Sequence, residues 1–366
     1  MSKSMTKIIC AVTNDLNTDQ RMHRICSSLS QNKYEVTLVG RELRNSAPLI
    51  AQPFGQKRIK CLKNKDFFFF MEYNLRLLFY LLFHKFDIVN AIDLDTIIPC
   101  WLAARLKGKK VTYDAHEWFP FSAELMNRPR ISTFWLLMEK FFVPRMDAVY
   151  TVSQSIADKL EEKYHRQVAL VRNMPISLDS DKQSSTKPYL LYQGALNVGR
   201  GLEPLIEAMQ MIKIPLYIAG AGDIEMELRE KVKQMGLSER VIFLGNLKPD
   251  DLWRYTQNAY IGVNLLENMG KSYYYSLANK FFDYVRAEVP QITMNFPEYI
   301  RMNRQFEVAI LIPDLKVERI VAAITQLLIK SSQYEALQAE CRQAKMIWNW
   351  NLEQKQLIAI YDKLKV

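Results

Sequence analysis

The sequence predicts an α/β protein of two doubly wound, Rossmann-like domains, and three observations carry that prediction. The 366-residue chain exceeds the usual size of one domain, and 49% hydrophobic with 24% charged residues is an ordinary globular mixture. Short β-branched runs alternate with amphipathic segments in two separate series. Between the series, residues 179–187 (Asp-Ser-Asp-Lys-Gln-Ser-Ser-Thr-Lys) are polar and mark a linker or loop.

The first series reads as strand 7–13, helix 21–31, strand 35–39, strand 87–91, helix 96–106, strand 110–113 and strand 148–152. Ser153 then stands where a helix cap is expected. The strands are apolar almost throughout, as parallel strands covered on both faces should be. The apolar stretch from Ile8 to Val12 runs straight into Asn14 and Asp15, too short for a secretory segment, and is read as the first strand. The second series offers strands at 189–192, 215–219, 241–244, 259–264, 291–294 and 308–311, with helices at 202–211 and 225–234 between them. Residues 346–364 are helical in pattern beyond the final strand and are expected to pack back on the first domain. The predicted domains are therefore 1–178 with 346–366, and 179–345, facing a cleft of the kind that binds ligands in such folds.

Composition narrows the function. With Gly at 12 and Pro at 14 the chain is neither fibrous nor disordered. Five scattered cysteines without a CxxC pair indicate neither a disulfide framework nor a zinc site and fit a reducing, cytoplasmic setting. The net charge of +10 is uneven: residues 1–180 hold 26 Lys and Arg against 18 Asp and Glu, and residues 181–366 hold 23 against 21. That bias fits an anionic membrane surface or an ordinary soluble surface better than nucleic acid. The aromatic run 67–83 is broken by Glu72 and Arg76 and falls short of the roughly 20 uninterrupted residues a membrane span needs. It is either a core helix or a face lying in a membrane interface beside Lys57, Arg58, Lys60, Lys63 and Lys65.

Four constellations could carry chemistry. In 189–203 an apolar strand leads into a loop with Gly194, Gly199 and Gly201 and then a helix. Backbone amides there can approach phosphate oxygens and Arg200 can add a charge-assisted contact, or the segment is only a turn. Gly222, in Ile-Ala-Gly-Ala-Gly-Asp, reads more simply as a tight strand-to-helix connection. In 276–284 (Ser-Leu-Ala-Asn-Lys-Phe-Phe-Asp-Tyr), Asn279 and Lys280 precede an apolar helical pattern. Asp283, one turn on, can accept from a pair of ribose hydroxyls or simply offset the helix dipole. Finally, the strand ending at Tyr113 runs into Asp114-Ala-His-Glu117, placing His116 at the carboxyl end of a parallel strand.

In this order the pieces resemble glycosyltransferase family 4, a retaining group on the GT-B fold, along nearly the whole chain. The segment 276–284 is similar to the family's S-L-P-N-K-x-F-E-Y stretch, with Ala278 for Pro and Asp283 for Glu. Residues 194–208 resemble its nucleotide-diphosphate loop and helix, 149–153 a strand end, and 348–364 its closing helix. The resemblance implies a UDP- or GDP-linked sugar donor and a saccharide or lipid-linked acceptor. It gives Asp283 to the ribose, Arg200 to the diphosphate and the Asn246–Leu247 backbone to the base. Asn279 and Lys280 border the sugar and phosphates, while His116 touches the donor sugar. Asn14 and Asp15 face the diphosphate from the first domain, and Gly194, Gly201 and Gly222 shape the donor loops.

Two departures accompany this. The family's E-x7-E spacing puts Tyr275 where its first acid stands, which makes Glu267 the substitute. The first turn, from Asn14 to Gln20, lacks a glycine pair. Asp93-Leu-Asp95 has the spacing of a metal-binding D-x-D but lies in a GT-B-like chain with no accompanying ligands. The motif is therefore read as structural or, through Asp95, as acceptor-side rather than metal-binding; Glu117 is also expected on the acceptor side, and no metal or cofactor is expected. Arg200, Lys280 and backbone amides are left to meet the leaving group's charge. A nucleotide-sugar epimerase and a non-catalytic sugar-nucleotide or membrane-surface binding protein are the alternatives.

Overall fold

The computed structural model describes residues 5–63, 66–177 and 187–365. Two compact units divide the chain, Met1–Asn173 with Leu352–Val366, and Met174–Asn351. The linker expected at 179–187 lies, up to residue 186, outside the described residues, as does Lys65.

The first unit runs β1 (Lys7–Ala11), α1 (Gln20–Gln31), β2 (Glu35–Glu42), β3 (Gly55–Lys60), α2 (Asp66–Phe83), β4 (Ile88–Ile92), α3 (Ile97–Lys107), β5 (Lys110–Ala115), α4 (Pro129–Phe142), β6 (Ala148–Thr151), α5 (Gln154–Tyr164) and β7 (Ala169–Leu170). Its seven strands form one parallel sheet in the order β3-β2-β1-β4-β5-β6-β7. The strand order reverses between β1 and β4, and Ile8 to Ala11 of β1 pair with Ile88 to Ala91 of β4. Such a switch point opens a crevice at the carboxyl ends of the strands. Central strands are buried on both faces, β4 completely, which explains their unbroken apolar runs. The expected cap is present: Ser153 Oγ accepts from the Ile156 N–H at 3.3 Å at the start of α5.

The second unit runs β8 (Leu190–Gln193), α6 (Leu202–Ala208), β9 (Leu216–Ala219), α7 (Glu225–Gln234), β10 (Val241–Gly245), α8 (Pro249–Asn258), β11 (Ile261–Asn264), α9 (Lys271–Tyr274), α10 (Asn279–Arg286), β12 (Gln291–Met294), α11 (Pro297–Gln305), β13 (Ala309–Ile312), α12 (Val317–Ile329) and α13 (Ser331–Ile347). The last helix, α14 (Trp350–Leu364), follows. The sheet order β10-β9-β8-β11-β12-β13 is again parallel, with its switch point between β8 and β11. The carboxyl ends of those two strands carry the glycine loop and the loop of Glu267.

Leu352 onward belongs to the first unit, where α14 is tied down by polar groups as well as packing. The Tyr361 hydroxyl lies 3.4 Å from Thr112 Oγ1 and 3.3 Å from the Tyr150 hydroxyl. Asn90, between Tyr150 and Thr112, bonds to both, so buried polar strand positions are satisfied rather than stranded. Glu353 takes Arg172, and Asp362 accepts from the Tyr34 hydroxyl.

Three elements were not legible in the sequence. β3 (Gly-Gln-Lys-Arg-Ile-Lys) is a charged edge strand with one buried residue, so it shows no apolar run. α4 has no single apolar face turned inward. β7 is two residues long. The helix expected at 202–211 stops at Ala208.

Candidate functional site

On the first unit, the carboxyl ends of β1, β4 and β5 bring Thr13, Asp93, Asp95 and His116 together. The ring of His116 stands between two carboxylates, with Nε2 3.2 Å from Asp114 Oδ2 and Nδ1 3.6 Å from Asp93 Oδ2. Asp93 Oδ1 also accepts the His116 backbone N–H at 2.9 Å. Asp114 is held from behind by Arg21 of α1, whose Nη2 and Nε lie 2.8 and 3.2 Å from its two oxygens, and Arg21 also donates to the Val171 carbonyl.

Charge states follow from this arrangement. Burial disfavours the imidazolium, but Asp114 and Asp93 outweigh it and push the His116 pKa up to about 9. Burial also opposes ionisation of Asp114, yet Arg21 and His116 hold its pKa below the ordinary Asp value. Asp93 moves the other way, because burial, with Asp95 and Glu117 nearby, outweighs the attraction of His116. Burial likewise lifts Asp95 to about 6 against the hydrogen bond from Thr13 Oγ1 at 2.5 Å. A histidine cationic at neutral pH with both ring nitrogens facing carboxylates has no lone pair for proton abstraction.

Asp15 is already engaged. Its carboxylate takes Arg58 at 2.7 Å and the Ser46 hydroxyl, so it presents no side chain suited to a diphosphate. The same pair withdraws Arg58 from the basic run 57–65. Neighbouring Asn14 is exposed and donates to Asp19.

On the second unit, β8 ends at Gln193 and the chain turns through Gly194, Gly199 and Gly201 into α6. Gly201 has φ 65°, and a Cβ on it would stand 2.7 Å from Leu265 Cβ, so both backbone and space require glycine there. Gly222 is explained by chain packing: a Cβ there would lie 2.4 Å from Asn197 Oδ1 and the Leu196 carbonyl. The structure brings Arg200, Lys280 and Asp283 to this loop. Arg200 lies over the Tyr273 ring at 4.8 Å, and its buried Nε has no hydrogen-bond partner. Lys280 is buried, with Nζ over the Tyr192 ring at 3.6 Å and 3.3 Å from the point a Cβ on Gly194 would occupy. Burial, with Arg200 nearby, drives its pKa well below the usual lysine value, against the pull of Asp283. Among the described residues neither cation makes an ion pair. A bound anion here would pair with Arg200 and favour the protonated form of the buried Lys280 amine, offsetting the effect of burial.

Asp283 Oδ2 accepts from Gln193 Nε2 at 2.9 Å, and Gln193 Oε1 accepts from Thr256 at 2.8 Å. Sequence reasoning missed Gln193; a polar residue closing an otherwise apolar buried strand was its only signal. It also missed Tyr192 and Tyr273, which carry the two cations, and Arg21, whose partner Asp114 is 93 residues away. Asn279 is exposed at the start of α10, and Tyr275 closes α9. Glu267 donates its backbone N–H to the Gly199 carbonyl at 2.9 Å, and burial plus nearby Glu203 raises its carboxyl pKa. Leu247 packs on the core beside Trp253, and Asn246 is exposed.

Two parallel α/β units of this topology, each with a switch point in its sheet, fit the GT-B fold. Residues 19–174 match the family described as Glycosyltransferase Family 4, and residues 177–344 match Glycosyl transferases group 1. The chain belongs to this group of glycosyltransferases. It is similar to the O-antigen chain mannosyltransferase C of Escherichia coli, at 22% identity over 149 residues. That match spans 38% of this chain and 40% of the mannosyltransferase. Among solved structures, sucrose-phosphate synthase from Thermosynechococcus elongatus superposes with a TM-score of 0.81 at 16% identity, covering 98% of this chain and 99% of that one. Anabaena HepE, solved with UDP and glucose, gives 0.78 at 11%, covering 98% and 100%.

Proposed function

We propose that the chain is a retaining hexosyltransferase that moves a sugar from a UDP- or GDP-linked donor to a saccharide or lipid-linked saccharide in cell-surface polysaccharide synthesis. The observation that carries this reading is the pair Arg200 and Lys280, which make no ion pair among the described residues and stand with Asp283 beside the loop that follows β8. A nucleoside diphosphate supplies the missing negative charge, and Asp283, oriented by Gln193, accepts from the ribose hydroxyls. In transfer the bond from the anomeric carbon to the diphosphate breaks, the acceptor oxygen bonds to that carbon, and the acceptor hydroxyl's proton passes to the departing diphosphate oxygen. Arg200 and Lys280 then hold charge that grows on the leaving diphosphate, an interaction strongest in the transition state. The Anabaena structure, solved with UDP and glucose, supports a nucleotide-sugar donor, and the E. coli similarity supports a polysaccharide product.

His116 belongs to the same reading as a fixed positive group toward sugar or phosphate oxygens. It is not a general base, since both its nitrogens face carboxylates. In this reading Asp95 and Glu117 serve the acceptor side.

Calorimetry with a panel of UDP- and GDP-sugars, followed by product analysis with donor alone and with donor plus saccharide acceptors, tests the proposal. Binding with slow hydrolysis, and transfer with unchanged anomeric configuration, is the expected result. A donor returned with an inverted ring carbon would make the enzyme an epimerase. Failure of every nucleotide sugar to bind would remove the donor reading.

A further inference from the structure

We propose that the outer face of α2, α3 and α4 on the first unit docks on the surface of an anionic lipid bilayer. On α4 a buried acid and an exposed apolar stripe depart from the usual amphipathic pattern. Its one carboxylate, Glu139, is 2% exposed and accepts from Lys163 Nζ and the Tyr164 hydroxyl, each at 2.6 Å. Its Ile131, Phe134, Leu137 and Phe141 are 42–57% exposed. A helix facing water does the opposite.

α2 adds a second stripe. It buries Phe69, Tyr73, Leu77 and Leu81 at four-residue spacing, and turns Met71, Leu75, Phe79 and Phe83 outward at 52–82% exposure. α3 packs between the two helices and presents Leu106. Single exposed apolar residues need no explanation, but two full stripes on the helices that flank α3 do.

Charge selects the occupant. From Met126 to Met146 the chain carries Arg128, Arg130, Lys140 and Arg145, all exposed, and Glu139 is its single acid, turned inward. The Arg145 guanidinium lies over the Phe141 ring at 4.0 Å, a cation at the edge of the apolar stripe. Apolar side chains rimmed by cations match anionic headgroups over an acyl layer. No helix among the described residues is long and apolar enough to cross a membrane, so contact would be in the surface plane. This moves the lipid contact away from the run 57–65, where Arg58 is occupied by Asp15. The proposal gives the lipid-linked acceptor reading a surface and rests on that reading for its purpose, but its test uses neither donor nor acceptor.

The five native cysteines are all buried, so a Leu137→Cys full-length protein can be labelled at this face with a polarity-sensitive dye. Phosphatidylglycerol-containing vesicles at low salt are expected to blue-shift the dye and sediment the protein, and phosphatidylcholine vesicles or high salt to weaken this on the order of tenfold or more. A dye at Lys233→Cys on the second unit should not shift. Combined Leu137→Gln and Phe141→Gln, and separately Arg128→Gln with Arg130→Gln and Lys140→Gln, should each weaken vesicle binding, whereas Lys57→Gln with Lys60→Gln should not. Unchanged far-ultraviolet circular dichroism keeps the variants comparable. No binding to anionic vesicles at low salt would overturn the proposal, as would variants of this face that bind normally. A dimer in sedimentation velocity that Leu137→Gln dissociates would assign the face to a second copy instead.

Discussion

Asp93 gives the sharpest test of the first-unit cluster, because its backbone and its side chain can be perturbed separately. Its φ of 56° and ψ of 175° fall where residues with a Cβ are scarcely found, and holding them there costs about 1–3 kcal/mol. The carboxylate so placed accepts the His116 N–H and faces its Nδ1. Asp93→Ala removes the carboxylate and keeps the strain, while Asp93→Gly removes both. Loss of the acceptor costs both variants alike, about 1–3 kcal/mol for a buried donor. Glycine relieves the strain and gives back about 0.5–1 kcal/mol through the greater freedom of the unfolded chain. Asp93→Gly should therefore exceed Asp93→Ala in stability, by up to about 2.5 kcal/mol and by about 1 kcal/mol at mid-range values. Thermal unfolding should show this as about 2–4 °C per kcal/mol for a unit of this size, and hydrogen exchange in β4 and β5 should follow. In both variants His116 loses one of two facing carboxylates, so its imidazole should titrate below about 9. With 4 histidines in the chain, the resonances can be assigned by NMR. Equal stability of the two variants would refute the strain argument. An unshifted His116 titration would refute the electrostatic one.

Four further outcomes follow from the same geometry. Asp283→Ala should weaken nucleotide binding by about 1.5–3 kcal/mol, the range for hydrogen bonds to a charged group, and calorimetry showing full affinity in a folded variant would remove Asp283 from the site. Arg200→Ala should lose more affinity for nucleoside diphosphates than for monophosphates, and a retained diphosphate preference would assign that role to Lys280 alone. First-unit stability should fall at both pH extremes: the depressed pKa of Asp114 contributes stability above the ordinary Asp range that is lost on acidification, and the raised pKa of His116 contributes stability that is lost as pH rises through about 9. Denaturant titrations across pH check this, and Asp114→Asn, which strands buried Arg21, should cost about 3–5 kcal/mol at neutral pH.

Much of the site was legible because local sequence positions it. Gly194, Gly199, Gly201 and Arg200 are neighbours in one loop, and Asn279, Lys280 and Asp283 lie within one turn of each other. Short-range spacing reports such groupings directly. His116 was legible for a similar reason, since the end of a parallel strand is recognisable from the apolar run before it. Glu267 and the cations of the second unit converge only because β8 and β11 are adjacent, and that adjacency is set by strand order.

The sequence by itself determined the two α/β units, the strands of both sheets apart from β3 and β7, the capping role of Ser153 and the candidate loops. Each depends on periodicity, on backbone freedom at glycine or on a capping hydroxyl, and all of these act over a few residues. Tertiary structure decided which charges are satisfied. It paired Asp15 with Arg58 and Asp114 with Arg21, and among the described residues it left Arg200 and Lys280 outside any ion pair. It also turned Glu139 inward and the apolar side of α4 outward. A residue's formal charge is written in the sequence, but its partner and its hydration are fixed only by which distant strands and helices pack around it.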